Sequence, residues 1–230
     1  MTAFFTDAFN DLPPEELEAY HRTVFMQMDT ARAAELRQQH YAGLLRHMGA
    51  NVRIGCGVKF VNPQYISLAD DVCIGDHCVL TARSDRGITL GDTVQLKYGV
   101  YLDTETVDGY IEVDRCVYIG TGCCLHGHQG LEIGEHTLFA QNITITPFSH
   151  KFDDPKVPII EQGGNCRKVT IGRNCYLGKC VCVLYSADIG DGSVIGAGAV
   201  VVKPVPPLSV AVGVPAKVIR RRGAPMVPRE

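Results

Sequence analysis

The chain has 230 residues, with 22 Lys and Arg against 25 Asp and Glu and a formal net charge of −3. That length allows one good-sized domain with a small appendage, and a 46% hydrophobic share supplies a core and excludes a disordered chain. The near-neutral balance argues against a nucleic-acid binder, no stretch reaches the ~18 consecutive apolar residues of a membrane span, and the opening MTAFFTDAFNDLPPEE lacks the parts of a signal peptide, so a cytoplasmic protein is expected.

In chain order, Asn10, Asp11, Pro13 and Pro14 followed by acidic residues predict a helix start. A second helix is expected from about Thr30 to Met48, with Leu36, Leu44, Leu45 and Met48 as its main apolar residues and Gly49 as its stop. Residues 1–47 do not repeat, and they are read as a helical cap over the open end of a repeating segment.

From residue 48 the sequence is periodic. Ile-Gly or Leu-Gly accounts for nine of the 24 glycines, where composition alone predicts roughly three. Ile171, Leu177, Val183, Ile189, Ile195 and Val201 follow in strict steps of six, and four residues after each of the first five stands Cys175, Val181, Ala187, Ser193 or Ala199. This is a hexapeptide repeat, the mark of a parallel β-helix with one short strand and turn per hexad. Extended backwards, the aliphatic positions group in threes: Met48, Ile54, Phe60; Leu68, Ile74, Leu80; Leu90, Leu96, Leu102; Val113, Ile119, Leu125; Ile133, Phe139, Ile145. Three hexads make one turn of a triangular prism spanning residues 48–205, with 206–230 as a tail.

Insertions of 2, 4, 5, 2 and 20 residues, then none, fall only after the third hexad of a group. All loops must therefore leave from one edge, and loops on one edge of a solenoid commonly form its binding face. That edge carries Asp103, Glu105, His126 and His128, and then the longest excursion, residues 146–168, which contains His150. With coils ~4.8 Å apart, His126 and His128 are expected within about a coil of His150, the outline of an active site. The ten cysteines contain no CxxC pair, so most are read as small buried hydrophobes, and the spacing selects no nucleophile among them.

The stretch KVTIGRNCYLGKCVCVLYSADIGDGSVIGAGAVVVKPVPPLSVAVGVPAKVIRR resembles the C-terminal half of hexapeptide acyltransferases, and the relatives it is most similar to are sugar O-acetyltransferases of the maltose and galactoside type. The resemblance covers residues 48–222, and IGAGAVV, PVPP and GVPAKVI in this order are its specific part. It implies a left-handed parallel β-helix, a homotrimer with active sites between subunits, acetyl-CoA as co-substrate and no required metal. IGEHTLFAQNITITPFSH is similar to the family segment that ends in its catalytic histidine, which places that role on His150. A base within ~3 Å of the acceptor hydroxyl, taking its proton during attack on the thioester, contributes typically 10²–10⁴-fold.

By motif position the family's coenzyme A contacts fall on Lys179, Ala197, Val202, Lys203, Lys217 and Arg220, with the Lys179 backbone N–H as oxyanion donor. The Lys179 side chain departs from the small residue usual there, and Tyr176 stands where Trp is common. The acceptor side departs more. The family carries an Asn and an Asp on the coil before the catalytic loop, and this chain has IGTGCCLHGHQG. An acceptor-contact role is therefore assigned to His128, with His126 beside it. Asp103 and Glu105 are read two ways, as groups that orient a histidine or bind a hydroxyl, or as solvated loop acids. The expected activity is acetyl-CoA-dependent O-acetylation of a sugar or glycoconjugate precursor. The rival readings are an N-acetyltransferase of an amino sugar or antibiotic, a non-catalytic scaffold, and a γ-class carbonic anhydrase built on three histidines and zinc.

Overall fold

The computed structural model describes residues 13–224; Asn10 and Asp11 of the expected helix start lie outside them. Helix α1 spans Pro14–Gln27 and helix α2 spans Ala31–Ala42. Pro14 opens α1, where a missing N–H costs nothing, and the Thr30 side chain accepts from the Ala33 N–H at the start of α2. The second helix is shorter than its sequence reading. It closes at Gly43, and Met48 is already a strand residue, paired with Leu68.

The face of α2 also differs from expectation. Its buried stripe is Ala33, Arg37 and Tyr41, continued by Leu45, whereas Leu44 is exposed. Arg37 is only 3% exposed and donates to the carbonyls of Phe25, Met28 and Ile54. One guanidinium thus satisfies the open end of α1 and the first coil together, answering the rule that buried charge needs partners.

Among the described residues the prism has sheets of six, nine and seven strands. Every aliphatic position identified from the repeat meets its counterpart one coil away. On the first face the ladder runs Met48, Leu68, Leu90, Val113, Ile133, Ile171, Ile189. On the second it runs Ile54, Ile74, Leu96, Ile119, Phe139, Leu177, Ile195. On the third it runs Phe60, Leu80, Leu102, Leu125, Ile145, Val183, Val201. Nearly all of these side chains are buried, each contributing about 1.5–3 kcal/mol. Cys175, Val181, Ala187, Ser193 and Ala199 are buried as well, at the corners.

The Ile-Gly signature has a steric cause. A Cβ on Gly178 would stand 2.6 Å from the backbone nitrogen of Ala197, and one on Gly190 would stand 2.5 Å from that of Pro207. At these corners the next coil passes too close for any side chain.

The boundary expected at residue 205 is not a break in hydrogen bonding. Val205 continues the first face, and the strand Ser209–Val212 continues the second through Val210 and Ala211. It then pairs antiparallel with Lys217–Arg221, so the segment read as a tail closes the upper end of the shaft. Among the described residues no helix is long and apolar enough to cross a membrane.

Candidate active site

Residues two apart in a strand point the same way. In the strand Tyr101–Asp103, Tyr101 and Asp103 therefore share the outer side of the third face, as do Cys124 and His126 in Cys124–His126 one coil on. The register sets Cys124 beside Tyr101 and His126 beside Asp103. All four stand at the edge from which the loops leave.

Asp103 is no solvated loop acid. It is 1% exposed and accepts from Arg83 Nε and Nη2, each at 3.1 Å. It also accepts from the Tyr101 hydroxyl at 2.8 Å and the Glu105 N–H at 2.7 Å. Burial pushes its carboxyl up, but these donors outweigh burial and hold it below its ordinary value. Burial and the same carboxylate push the Tyr101 hydroxyl up to about 12, so it stays protonated as a donor.

Glu105 follows with φ +62, a left-handed backbone that is uncommon for a non-glycine residue. Its Oε1 lies 2.7 Å from His126 Nδ1. The other ring nitrogen, Nε2, lies 3.2 Å from Cys124 Sγ. Both contacts raise the His126 pKa, the one to Cys124 most, against an opposing effect of burial. Of the two readings of Glu105, the geometry gives the one in which it orients a histidine.

His128 takes the opposite course. Its Nδ1 is buried without a partner, and burial lowers its pKa. Its carbonyl accepts from the Thr106 hydroxyl at 2.7 Å, and its ring stacks on Phe148 at 5.1 Å with 14° between planes.

The long excursion is a hairpin. Phe148–His150 pairs antiparallel with Gly164–Cys166, and the Gln162 side chain gathers its tip by bonding both backbone groups of Asp154 and the Val157 carbonyl. Gly164 lets the Phe148 ring cross the hairpin, since a Cβ there would stand 2.2 Å from the ring. His150 is exposed and meets Phe148 edge-on at 4.6 Å. The three edge histidines thus form a row: His126 and His128 are 6.0 Å apart by ring centroid, and Phe148 stands between His128 and His150. Phe148 and Cys124 had no place in the sequence reading. For Cys124 a signal existed, since Cys-x-His on a strand puts both side chains on one face.

The expected donor contacts fall on two edges. Lys179 and Ala197 lie on consecutive coils at the corner between the second and third faces, where the Gly198 N–H donates to the Lys179 carbonyl at 2.8 Å. Both are exposed. Val202 and Lys203, also exposed, follow the last strand of the third face at the loop edge. Lys217 is exposed, and Arg220 is half-buried with Nη1 3.3 Å from the carbonyls of Arg221 and Ala224. Exposed cations at both margins of one face suit an extended phosphate-bearing ligand.

Among the described residues no three His, Cys, Asp or Glu side chains group to hold a metal ion.

Comparison with known proteins places this arrangement. The family described as bacterial transferase hexapeptide matches residues 168–203, and the hexapeptide repeat of succinyl-transferase matches residues 71–104. A probable acetyltransferase of Mycobacterium tuberculosis is 33% identical over 150 residues, 56% of this chain and 50% of its own length. The galactoside O-acetyltransferase of Escherichia coli is 32% identical over 134 residues, 57% of this chain and 63% of its own. The chain thus spans between half and two thirds of these two relatives. An E. coli protein named "Putative lipopolysaccharide biosynthesis O-acetyl transferase WbbJ" is 32% identical over 146 residues, 60% of this chain and 74% of its own length. Among solved structures, the Bacillus cereus N-acyltransferase AntD, in complex with dTDP and 3-hydroxybutyryl-CoA, shares the fold with a TM-score of 0.57 at 20% identity, covering 81% of this chain and 88% of that one. With its seven coils in register and a relative matched over most of its length, the chain belongs to the hexapeptide-repeat acetyltransferase family.

Proposed function

We propose that this protein is an acetyl-CoA-dependent O-acetyltransferase acting on a hydroxyl of a sugar or glycoconjugate precursor. The observation that carries the reading is the position of His150. It is exposed at the head of the hairpin, on the loop edge that also holds a pinned carboxylate and two further histidines, in a chain whose relatives are named for O-acetyl transfer.

In this mechanism acetyl-CoA and acceptor bind together. His150 removes the acceptor proton as the acceptor oxygen attacks the thioester carbonyl. The C–O bond forms, the C–S bond breaks, and the proton passes to the departing coenzyme A thiolate. The Lys179 N–H steadies the oxyanion. Lys203, Lys217 and Arg220 hold the phosphates, and Ala197 leaves room for the pantetheine arm. His128 and the His126–Glu105 pair face the acceptor. The reading includes a homotrimer with sites between neighbouring shafts and a cytoplasmic setting.

N-acylation of an amino sugar is the second reading. It is favoured by the shared fold of AntD, an S84C mutant of which is described in complex with dTDP-4-amino-4,6-dideoxyglucose and coenzyme A. Chromatography of released coenzyme A over sugars, nucleotide-sugars and amino sugars, with wild type and His150→Ala side by side, tests both. Hydroxyl-dependent turnover that falls at least ~100-fold in the variant supports the mechanism. Equal turnover by both proteins overturns the role of His150, and turnover with amino sugars alone selects the second reading.

A further inference from the structure

Three side chains on the loop edge are arranged as a nucleophile, its base and the base's orienting group. Cys124 Sγ lies 3.2 Å from His126 Nε2, and His126 Nδ1 lies 2.7 Å from Glu105 Oε1. A carboxylate only accepts, so the proton shared with Glu105 belongs to Nδ1. In the neutral ring Nε2 is then the acceptor aimed at the thiol. That geometry recurs wherever a side-chain nucleophile is activated by a neighbouring base.

The rest of the site supports the array. The Glu105 N–H bonds Asp103, which is itself fixed by Arg83 and Tyr101. Thr144 and Tyr101 flank Cys124 in the ladder, and His128 lies beyond His126. Cys124, His126 and Glu105 are all partly open to solvent. The contrast with other cysteines is sharp, because Cys78 and Cys123 are buried in the shaft with thiols pushed up to about 11 by burial.

We infer that Cys124, His126 and Glu105 form a nucleophilic thiol site that accepts an acyl group from a thioester donor. His126 takes the thiol proton as Sγ attacks the carbonyl. The new C–S bond to Cys124 forms, the bond to the coenzyme A sulfur breaks, and His126 returns the proton to the departing thiolate. One thioester replaces another, so no further reactant is needed. The choice of donor rests on the proposed function; the activated thiol does not. The site stands beside His150 and leaves its role unchanged.

The full chain is incubated with acetyl-CoA alone, and each cysteine peptide is mapped by mass spectrometry, with neutral hydroxylamine to distinguish a thioester from an amide. In parallel, iodoacetamide alkylation of Cys124, Cys116 and Cys180 is followed against pH. The expected result is hydroxylamine-labile acetylation of Cys124 at least ~10-fold faster than of exposed Cys116 and Cys180, falling ~100-fold in His126→Gln. Across that range alkylation of Cys124 is expected to be faster than that of Cys180, and to slow in Glu105→Gln. Coenzyme A release to an acceptor without label on Cys124 overturns acyl acceptance. Failure to bind acetyl-CoA at all counts against the proposed function. The alkylation arm then decides alone: His126-dependent reactivity keeps the nucleophile, and a profile matching Cys180 removes it.

Discussion

Phe148 lies flat against His128, with ring centroids 5.1 Å apart and planes 14° from parallel, so the hairpin that carries His150 is docked on the shaft through an aromatic stack. Phe148→Ala is expected to free the hairpin while the coils stay intact. Limited proteolysis should rise between residues 150 and 163. The turnover number should fall ~100-fold, the scale of a displaced catalytic group, with little change in melting temperature. Unchanged turnover would detach the stack from function.

Asp103 gathers Arg83, Tyr101 and the Glu105 N–H around one buried carboxylate. Asp103→Ala strands these donors and should cost about 3 kcal/mol in urea unfolding at neutral pH. Its folded pKa is below the ordinary 3.8, so its stabilising contribution is complete above 3.8 and is lost as pH falls through the folded value. The gap between wild type and Asp103→Asn should close over that acidic range; a gap that stays constant would contradict the assignment.

Two neighbouring histidines should titrate in opposite senses. His126 is raised from 6.5 by Cys124 and Glu105, and His128 is lowered by burial. Protonated His126 therefore contributes stability that is complete below 6.5 and lost as pH rises through its folded value. NMR titration of the ring protons should place the two midpoints on either side of 6.5. Cys124→Ala and Glu105→Gln should each bring the His126 midpoint down, and a midpoint that stays put would rule out the contacts described.

The corner glycines make a paired test. At Gly178 an added Cβ would meet the Ala197 nitrogen at 2.6 Å, so Gly178→Ala should cost about 1–3 kcal/mol by overpacking and should raise KM for acetyl-CoA by moving the Ala197 turn. Gly198 has open space around it but φ +70, so Gly198→Ala should cost only the ~1–2 kcal/mol of a left-handed residue. Calorimetry on both variants, with kinetics on the first, separates obstruction from backbone strain.

The shaft was legible because its demands are local and repeat. Each hexad needs an aliphatic residue inside and a glycine where coils touch, and both recur at a fixed interval that composition cannot mimic. The cap was not legible in the same way. Of its main apolar residues Leu36, Leu44, Leu45 and Met48 only Leu45 is fully buried, and a buried place also went to Arg37, whose partners Phe25, Met28 and Ile54 no helical period reveals. The same limit held at the site. Asp103 and Glu105 had two readings because Arg83 and His126, which decide between them, are 20 and 21 residues away in sequence. His150 was visible through its motif; Phe148, which positions it, carries no signature beyond being apolar.

Between Val183 and Ile189 the chain passes from the third face to the first in six residues, so a coil closes with no excursion at all. The 20 extra residues between Ile145 and Ile171 are therefore mechanically dispensable. Removing 147–166 restores the same six-residue step, and the shortened chain should melt near the parent temperature while losing transfer activity. The shaft behaves as a spool and the reactive segment as an insert. Descendants of this sequence can exchange one insert for another without renegotiating how the spool folds.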